Sequence, residues 1–276
     1  MLYRENGQFK SSYVSDQQML PILQDRLFMF GLVAFAFVGV PLLAGDYLYL
    51  SILIPFLILA LAAIGLNLLV GYCGQISIGH AAFMSIGAYA AYNLALRVPQ
   101  LNFLVVLVLA GLVAAAAGML FGIPSLRIKG LYLAVATLAA QFFTDWLFAR
   151  VKWFTNYSHS GSVSTAPVEL FGWRIDTPVE KYLFLLGVLI VFTLVAKNLV
   201  RGHLGREWMA MRDMDVAAEV IGIRPVYAKL TAFAVSSFYC GVAGALYGFL
   251  YLGSWEPLAF NLTLSLNLLF MIIIGG

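Results

Sequence analysis

Charge is what this sequence has least of. Among its 276 residues 16 are Lys or Arg and 13 are Asp or Glu, 11% together, against roughly a quarter in a soluble domain. Polar surface this sparse cannot cover a water-facing globule of such length, which excludes a soluble enzyme and a disordered chain. Placement says more than the mean. No Asp, Glu, Lys or Arg lies between Asp46 and Arg97, between Arg97 and Arg127, or between Lys229 and Glu256. Charge-free apolar runs of roughly 18 residues or more are candidate membrane spans. Cysteine is scarce too: Cys73 and Cys240 stand in apolar surroundings with no C-x-x-C partner, so neither a disulfide framework nor a metal site is indicated. No Gly-Lys dipeptide and no G-x-G-x-x-G run occurs, so no P-loop or dinucleotide turn can form. His80, His159 and His203 are far apart and lack partners at metal-ligand spacing. No Ser/His/acid or paired-carboxylate constellation stands out, and the net charge of +3 is too dispersed for nucleic acid. The expectation is a chain with no catalytic residues, no metal and no cofactor of its own.

What remains is a polytopic transmembrane protein. Windows of the length needed to cross a bilayer fall at about 27–44, 48–70, 76–96, 103–123, 131–149, 182–200, 228–252 and 262–276. All should be helices, because backbone in lipid must satisfy its own hydrogen bonds, and the alternating pattern of a barrel is absent. The expected fold is therefore an all-α bundle of about eight spans. Residues 1–26 are too long and polar for the start of a signal peptide, so 27–44 reads as a retained span, with cleavage near Ala44 as the alternative. With the N-terminus inside, Arg4, Lys10, Arg26, Arg127, Lys129, Lys197, Arg201, Arg206, Arg212, Arg224 and Lys229 are cytoplasmic. Arg97, Arg150, Lys152, Arg174 and Lys181 are then external, and this 11-to-5 split of all 16 basic residues favours that orientation. The chain thus divides into a cytoplasmic segment 1–26 and a membrane domain 27–276, with an external loop 150–181 and a cytoplasmic loop 201–227.

Both loops are long enough to act. The external one holds Trp153, Tyr157, Trp173 and a Ser/Gly-rich run, and serves either as a cover or as a docking surface. In the cytoplasmic one, Gly205 to Ile221 reads as a single short helix ended by Gly222, with Pro225 beyond. Its charges keep it out of the bilayer, as a membrane-surface element or a contact helix. Inside the membrane, Gly71-Tyr-Cys-Gly-Gln-Ile-Ser-Ile-Gly-His80 interrupts two apolar runs. Clustered glycine favours a helix break there. Gly71, Gly74, Gln75, Ser77, Gly79 and His80 either line a wet cavity, as broken helices of transporters do, or form a hydrated turn. Thr137, Gln141 and Thr144 share one helical face, suited to a polar path or to interhelical hydrogen bonds. Small residues at Ala114, Gly118 and Gly122, and at Gly244 and Gly248, are explained by close helix packing. Asn261, Thr263, Ser265 and Asn267 alternate with Leu and suggest an extended start to the last span. Asp145 lies five residues before Arg150, hence near the outer interface, so a carboxylate relay at mid-membrane has no residues to run on.

Several runs together resemble a known family. They are Gly65-Leu-Asn-Leu-Leu-Val-Gly-Tyr-Cys-Gly-Gln-Ile-Ser-Ile-Gly-His-Ala-Ala-Phe83, Ile86-Gly-Ala-Tyr89, Leu126–Leu138, Gly205–Asp213, Val216–Ile223, Lys229, Gly241–Leu246 and Ile274–Gly276. Over about residues 55–276 they resemble inner-membrane permeases of branched-chain amino-acid ABC importers, of the type with the longer external loop. The resemblance implies a bacterial inner-membrane subunit, surrounded by lipid. It would work with a sister permease, two cytoplasmic ATP-binding subunits that hold the ATP, and an external solute-binding protein. It also implies that Arg206, Arg212, Asp215, Ala217, Ala218, Glu219 and Gly222 belong to a coupling helix seated on the ATPase. Gly71, Gly74, Gln75, Ser77, Gly79, His80, Thr137 and Gln141 remain the candidate substrate path. Tyr157–Ser164 replaces a Thr-Gly-Gly-type run of the family's external loop, and family members continue past Gly276, which implies a truncated C-terminus. The alternatives are a related permease for urea, short amides or aromatic acids, and a passive small-solute channel with little use for a helix at 205–222.

Overall fold

In a computed structural model of the chain, residues 12, 23–126, 130–158, 161–170 and 172–275 are described. Most of the segment 1–26, together with Arg127, Lys129, His159 and Gly276, lies outside the described residues. Two compact units are distinguished, Met1–Gly45 and Asp46–Gly276. In the first, α1 (Gln24–Leu43) is apolar after its opening Gln24-Asp25-Arg26, and none of its apolar stretch is buried in protein, as suits a helix solvated by lipid tails. Pro41 lacks an N–H for the carbonyl four residues earlier, and the preceding stretch Phe35–Gly39 is π-helical.

The second unit holds α2 (Asp46–Tyr72), α3 (His80–Arg97), α4 (Phe103–Gly122), α5 (Leu131–Arg150) and α6 (Pro178–Arg201). These are followed by α7 (His203–Asp213), α8 (Asp215–Val220), α9 (Pro225–Leu252) and α10 (Leu262–Gly275). Among the described residues seven helices are long and apolar enough to cross a membrane. The eighth expected span is α3, whose His80, Ser85 and Asn93 lower its hydropathy and are buried. Pro55 interrupts α2 as Pro41 interrupts α1, and Tyr49–Leu53 before it is π-helical. Asn102 caps α4 by accepting from the Leu104 amide at 3.0 Å, and Thr177 with Glu180 forms a reciprocal capping box at the start of α6.

The core is centred on α9, which packs on α2, α3 and α4. Contact is close because small residues meet: a side chain at Gly244 would strike the Met84 backbone, and Gly241 faces Ala114 and Gly111. Gly118 and Gly122 pack on Ser237 and Phe233 of α9. The small-residue stripes are thus packing surfaces. One end of this unit carries α7, α8 and the start of the connection 73–79, whose Gly79 reaches in to Thr137 of α5. The opposite end carries the loop 151–177, where β1 (Val163–Ser164) pairs with β4 (Ser254–Trp255), and β2 (Glu169–Leu170) pairs with β3 (Trp173–Arg174). Arg97 lies over the Trp153 ring at 3.6 Å, pinning that loop to α3.

Two expectations are corrected. The segment 205–221 is not one helix: Met214, at φ −157° and ψ 94°, separates α7 from α8. Its apolar residues made no clean stripe because the break divides them. Trp208 and Met211 point inward from α7, while Met214, Val216, Val220 and Ile221 are exposed. The extended lead to the last span lies at 253–256 with a 3₁₀ turn at Pro257–Phe260, earlier than the polar alternation suggested. Asn261 caps α10 by accepting from the Leu264 amide at 3.0 Å, so Thr263, Ser265 and Asn267 are helical. Ser265, Leu268 and Leu269 then share the inward face at i, i+3 and i+4.

Because the atom opposing Gly244 is backbone and cannot rotate away, Gly244→Val should destabilise the fold by about 1–3 kcal/mol. Thermal unfolding of the detergent-solubilised protein should show it, and an unchanged melting temperature would refute the close α3–α9 approach.

Candidate functional site

The expected helix break is real. After the π-helical turn Leu68–Tyr72 the chain runs without regular structure from Gly74 to Gly79, then enters α3 at His80. Gly74 takes φ +69°, open to glycine at little cost. A Cβ at Gly79 would run into the Thr137 carbonyl, so the break is pressed against α5. The segment is not a hydrated turn: Gln75, Ser77 and His80 are all buried.

Three neighbouring helices supply the hydrogen bonds that this irregular backbone lacks. The Ile78 amide donates to Thr137 Oγ1 at 3.0 Å, and that hydroxyl donates on to the Ala134 carbonyl at 2.9 Å. The N-cap residue of α3 is Gly79, which has no side chain, and the free Ala81 amide donates instead to Ser265 Oγ of α10 at 2.8 Å. Ser265 in turn donates to Gln141 Oε1 at 3.1 Å. His80 bridges Ser77 Oγ and Ser236 Oγ of α9, each at 2.8 Å. Either ring tautomer serves, because a hydroxyl can both donate and accept.

Gln141 extends this network to the second interruption. Its Nε2 donates to the Phe260 carbonyl at 2.8 Å and to Asp145 Oδ1 at 3.0 Å. Gln141 is the eleventh of the 20 residues of α5, so at 1.5 Å per residue it stands roughly 15 Å from the helix start, near mid-span. The lead 253–261 therefore returns about halfway into the bundle before α10 begins. Thr137, Gln141 and Thr144 do share one buried face. Each is hydrogen-bonded within the protein, Thr144 to the Ala140 carbonyl at 2.8 Å. Gln75 differs: both atoms of its amide are buried without a hydrogen-bond partner.

The helices α7 and α8 lie directly beneath the break. Trp208 of α7 is fully buried and donates from Nε1 to Thr231 Oγ1 of α9 at 3.2 Å. Arg212 donates from Nη1 to the Gly71 carbonyl at 3.0 Å and from Nε to Asp213 at 2.9 Å, and its stem covers Gly74. Gly222, at φ +95°, closes α8: its amide donates to the Glu219 carbonyl and that of Ile223 to the Ala218 carbonyl, each at 3.0 Å. Of the predicted contact residues, Arg206, Arg212, Ala217, Glu219 and Gly222 are exposed, Asp215 is half-buried and Ala218 faces the bundle. A groove of about 760 Å³ opens between α7 and the start of α9, bordered by Arg206, Glu207, Ile221 and Arg224.

Residues 48–276 match the model of the family described as the permease component of branched-chain amino acid transport systems. The chain belongs to that family. It is also 33% identical over 246 residues to the high-affinity branched-chain amino acid transport system permease protein LivM of Salmonella typhimurium, an alignment covering 80% of this chain and 56% of that protein. The LivM protein of Escherichia coli K12 gives the same identity and coverage. The chain thus spans little more than half the length of these relatives. No solved structure matches it significantly. Membership of a permease family and the apolar helices make this a multi-pass membrane protein of the transport class.

Ser236, Ser265, the Phe260 carbonyl and the Arg212–Gly71 contact belong to the site but were not singled out as its members in the sequence. The only sequence signal for the serines is a small hydroxyl in an otherwise apolar span. Gln141→Leu would leave the Phe260 carbonyl and Ser265 without their partner. It should destabilise the protein by about 1–3 kcal/mol, read as a lowered melting temperature in detergent. No shift would mean the network contributes nothing to stability.

Proposed function

We propose that this chain is a membrane-spanning permease subunit of an ATP-driven importer for branched-chain or related amino acids. In this reading it sits in a bacterial inner membrane with its N-terminus in the cytoplasm. It works beside a sister permease, takes substrate from an external solute-binding protein at the 151–177 end, and is driven by two cytoplasmic ATP-binding subunits. Those subunits, not this chain, hold ATP. The family match over 48–276 carries the proposal, and the placement of the helix pair supports its mechanical part.

The exposed side of α7 and α8, with Arg206, Ala217, Glu219 and Gly222, is the surface offered to the ATP-binding subunits. Its inner side holds two parts of the bundle at once: α9 through Trp208, and the helix break through Arg212. Displacement of the pair would pull on Gly71 and press on Gly74. The break is joined to α9 through His80 and Ser236 and to α5 through Thr137, so its motion would be felt where these helices meet. The candidate path, Gly71, Gly74, Gln75, Ser77, Gly79, His80, Thr137 and Gln141, is the zone that would rearrange.

Proteoliposomes holding the complete importer should take up leucine with ATP and stop without it; uptake indifferent to ATP would overturn the proposal. Gly222→Arg should reduce uptake at least about fivefold while the complex still assembles, a loss in the range of typical coupling energies. Arg212→Ala should lower the uptake achieved per ATP hydrolysed by about fivefold or more, with Arg212→Lys intermediate. Normal uptake per ATP in Arg212→Ala would remove this contact from the route.

A further inference from the structure

Between α3, α4 and α5 a groove of about 750 Å³ opens on the outside of the bundle. Val113, Ala116 and Leu120 of α4 and Phe143 of α5 are exposed along it, so in a membrane it is filled from the lipid side. On α3 it runs from Arg97 back to Ile86, roughly 16 Å at 1.5 Å per residue and about half of a ~30 Å hydrocarbon core. At its inner end the rings of Phe121 and Phe143 meet. Two of its polar residues, Asn93 and Thr144, direct their hydrogens to the carbonyls of Tyr89, Phe154 and Ala140. No Asp or Glu lines the groove, and the one charged residue that does is Arg97 at the mouth. Arg97 ends α3 and Arg150 ends α5, with Lys152 two residues on; all three are exposed at the same end of the unit. None of them forms an ion pair among the described residues. With its centre 3.6 Å above the Trp153 ring, the Arg97 guanidinium lies face-on and leaves its N–H edge for an acceptor.

Empty space in hydrocarbon forfeits dispersion contacts, so the groove needs an occupant. An acyl chain gains little there over its place in the bilayer, because lipid tails are as apolar as the walls. Selection among lipids therefore rests on the headgroup, and the cations around the mouth favour a negative one. We infer that this groove is a binding site for one anionic phospholipid. Its tail lies between α4 and α5, and its headgroup phosphate is held by Arg97 with Arg150 and Lys152. A helix of another chain would fill the same space, yet it brings no obligatory negative charge to the mouth. The position has a consequence. α5 carries Thr137 and Gln141 of the hydrogen-bonded network, and α4 packs on α9. A seated tail braces α5 against α4, which ties the network to the lipid composition of the membrane.

The test is binding of labelled phosphatidylglycerol to the full chain in detergent, in competition with unlabelled lipids. Saturable binding of one lipid per chain is expected; its absence overturns the inference. Phosphatidylcholine with identical tails should compete at least about tenfold more weakly, since each basic residue near an anionic headgroup is worth about fivefold. Equal competition refutes the headgroup assignment, and this comparison needs only the wild-type protein. Inorganic phosphate at about 10 mM, roughly the limit of a meaningful site, should leave the lipid bound; displacement would show a free-anion site and refute the lipid. Arg97→Ala should weaken phosphatidylglycerol about fivefold, with Arg97→Lys closer to wild type. Ala117→Phe, which fills the groove without touching a charge, should abolish saturable binding of the lipid. Unchanged affinity in that variant places the lipid elsewhere and overturns the site. The same measurement on the complete importer decides between occupants. Lipid retained there supports the inference, whereas lipid lost on assembly assigns the groove to a helix of the sister permease and overturns it.

Discussion

A backbone N–H or carbonyl inside a membrane must find a partner within the protein, because hydrocarbon offers none. Among the described residues two interruptions of helix lie within the bundle, at 73–79 and at 253–261, and each would leave such groups bare. The deficits are met from other helices: Thr137 accepts from Ile78, Ser265 accepts from Ala81, and Gln141 donates to the Phe260 carbonyl. These polar side chains are not scattered through apolar helices by chance. Each stands opposite a backbone group that the broken helices cannot satisfy themselves. Because Ser265 and Gln141 also bond each other, α3, α5 and α10 are fixed by a single connected set of hydrogen bonds.

That arrangement separates the second unit into stiff and deformable parts. The contact of α9 with α3 and α4 is made through Gly244 against the Met84 backbone, Gly241 against the Ala114 methyl, and Gly118 against the short Ser237 side chain, which leaves little that can yield. Movement there would require whole helices to part. The break, by contrast, is held by a few side-chain hydrogen bonds, which can exchange partners at small net cost. α7 is fastened to the stiff part by Trp208 and to the deformable part by Arg212. A force on α7 would therefore act between them, with α9 as the fixed member.

How much of this could be read from the sequence depends on the range of the interactions. Charge-free stretches marked the spans because membrane solvation acts on each segment separately. The glycine cluster at 71–79 marked the break, Gly222 marked a helix end, and the spacing of Thr137, Gln141 and Thr144 marked a buried face, all through local geometry. The break at Met214 had no such mark: the residue is a good helix former, and the bend follows from seating Trp208 and Ala218 against the bundle end. The lead into α10 was displaced for a related reason. The alternating polar residues at 261–267 mimic an extended strand, but Asn261 caps a helix and Ser265 answers a backbone amide 184 residues away. Contacts between residues so distant leave no periodicity to detect.

The same network bears on where energy can enter. His80, Ser77, Ser236, Thr137, Ser265 and Gln141 form the polar network around the break, and none is a carboxylate or a basic chain of Lys or Arg; the buried Lys229 stands nearer the α7–α8 end. Asp145, the acidic member nearest to it, lies one helical turn beyond Gln141, toward the end carrying Arg150. Hydroxyls and amides can trade hydrogen bonds, but they hold no stored charge for a membrane potential to act on. In the importer reading, work done on such an interior would arrive as displacement of a helix. In this bundle the described charges gather at the ends, and α7 with α8 carries a dense group of them on a surface exposed to water. In the importer reading, this charged, exposed helix pair bonded to a neutral, buried break would act as a lever, and it is there that force would be applied.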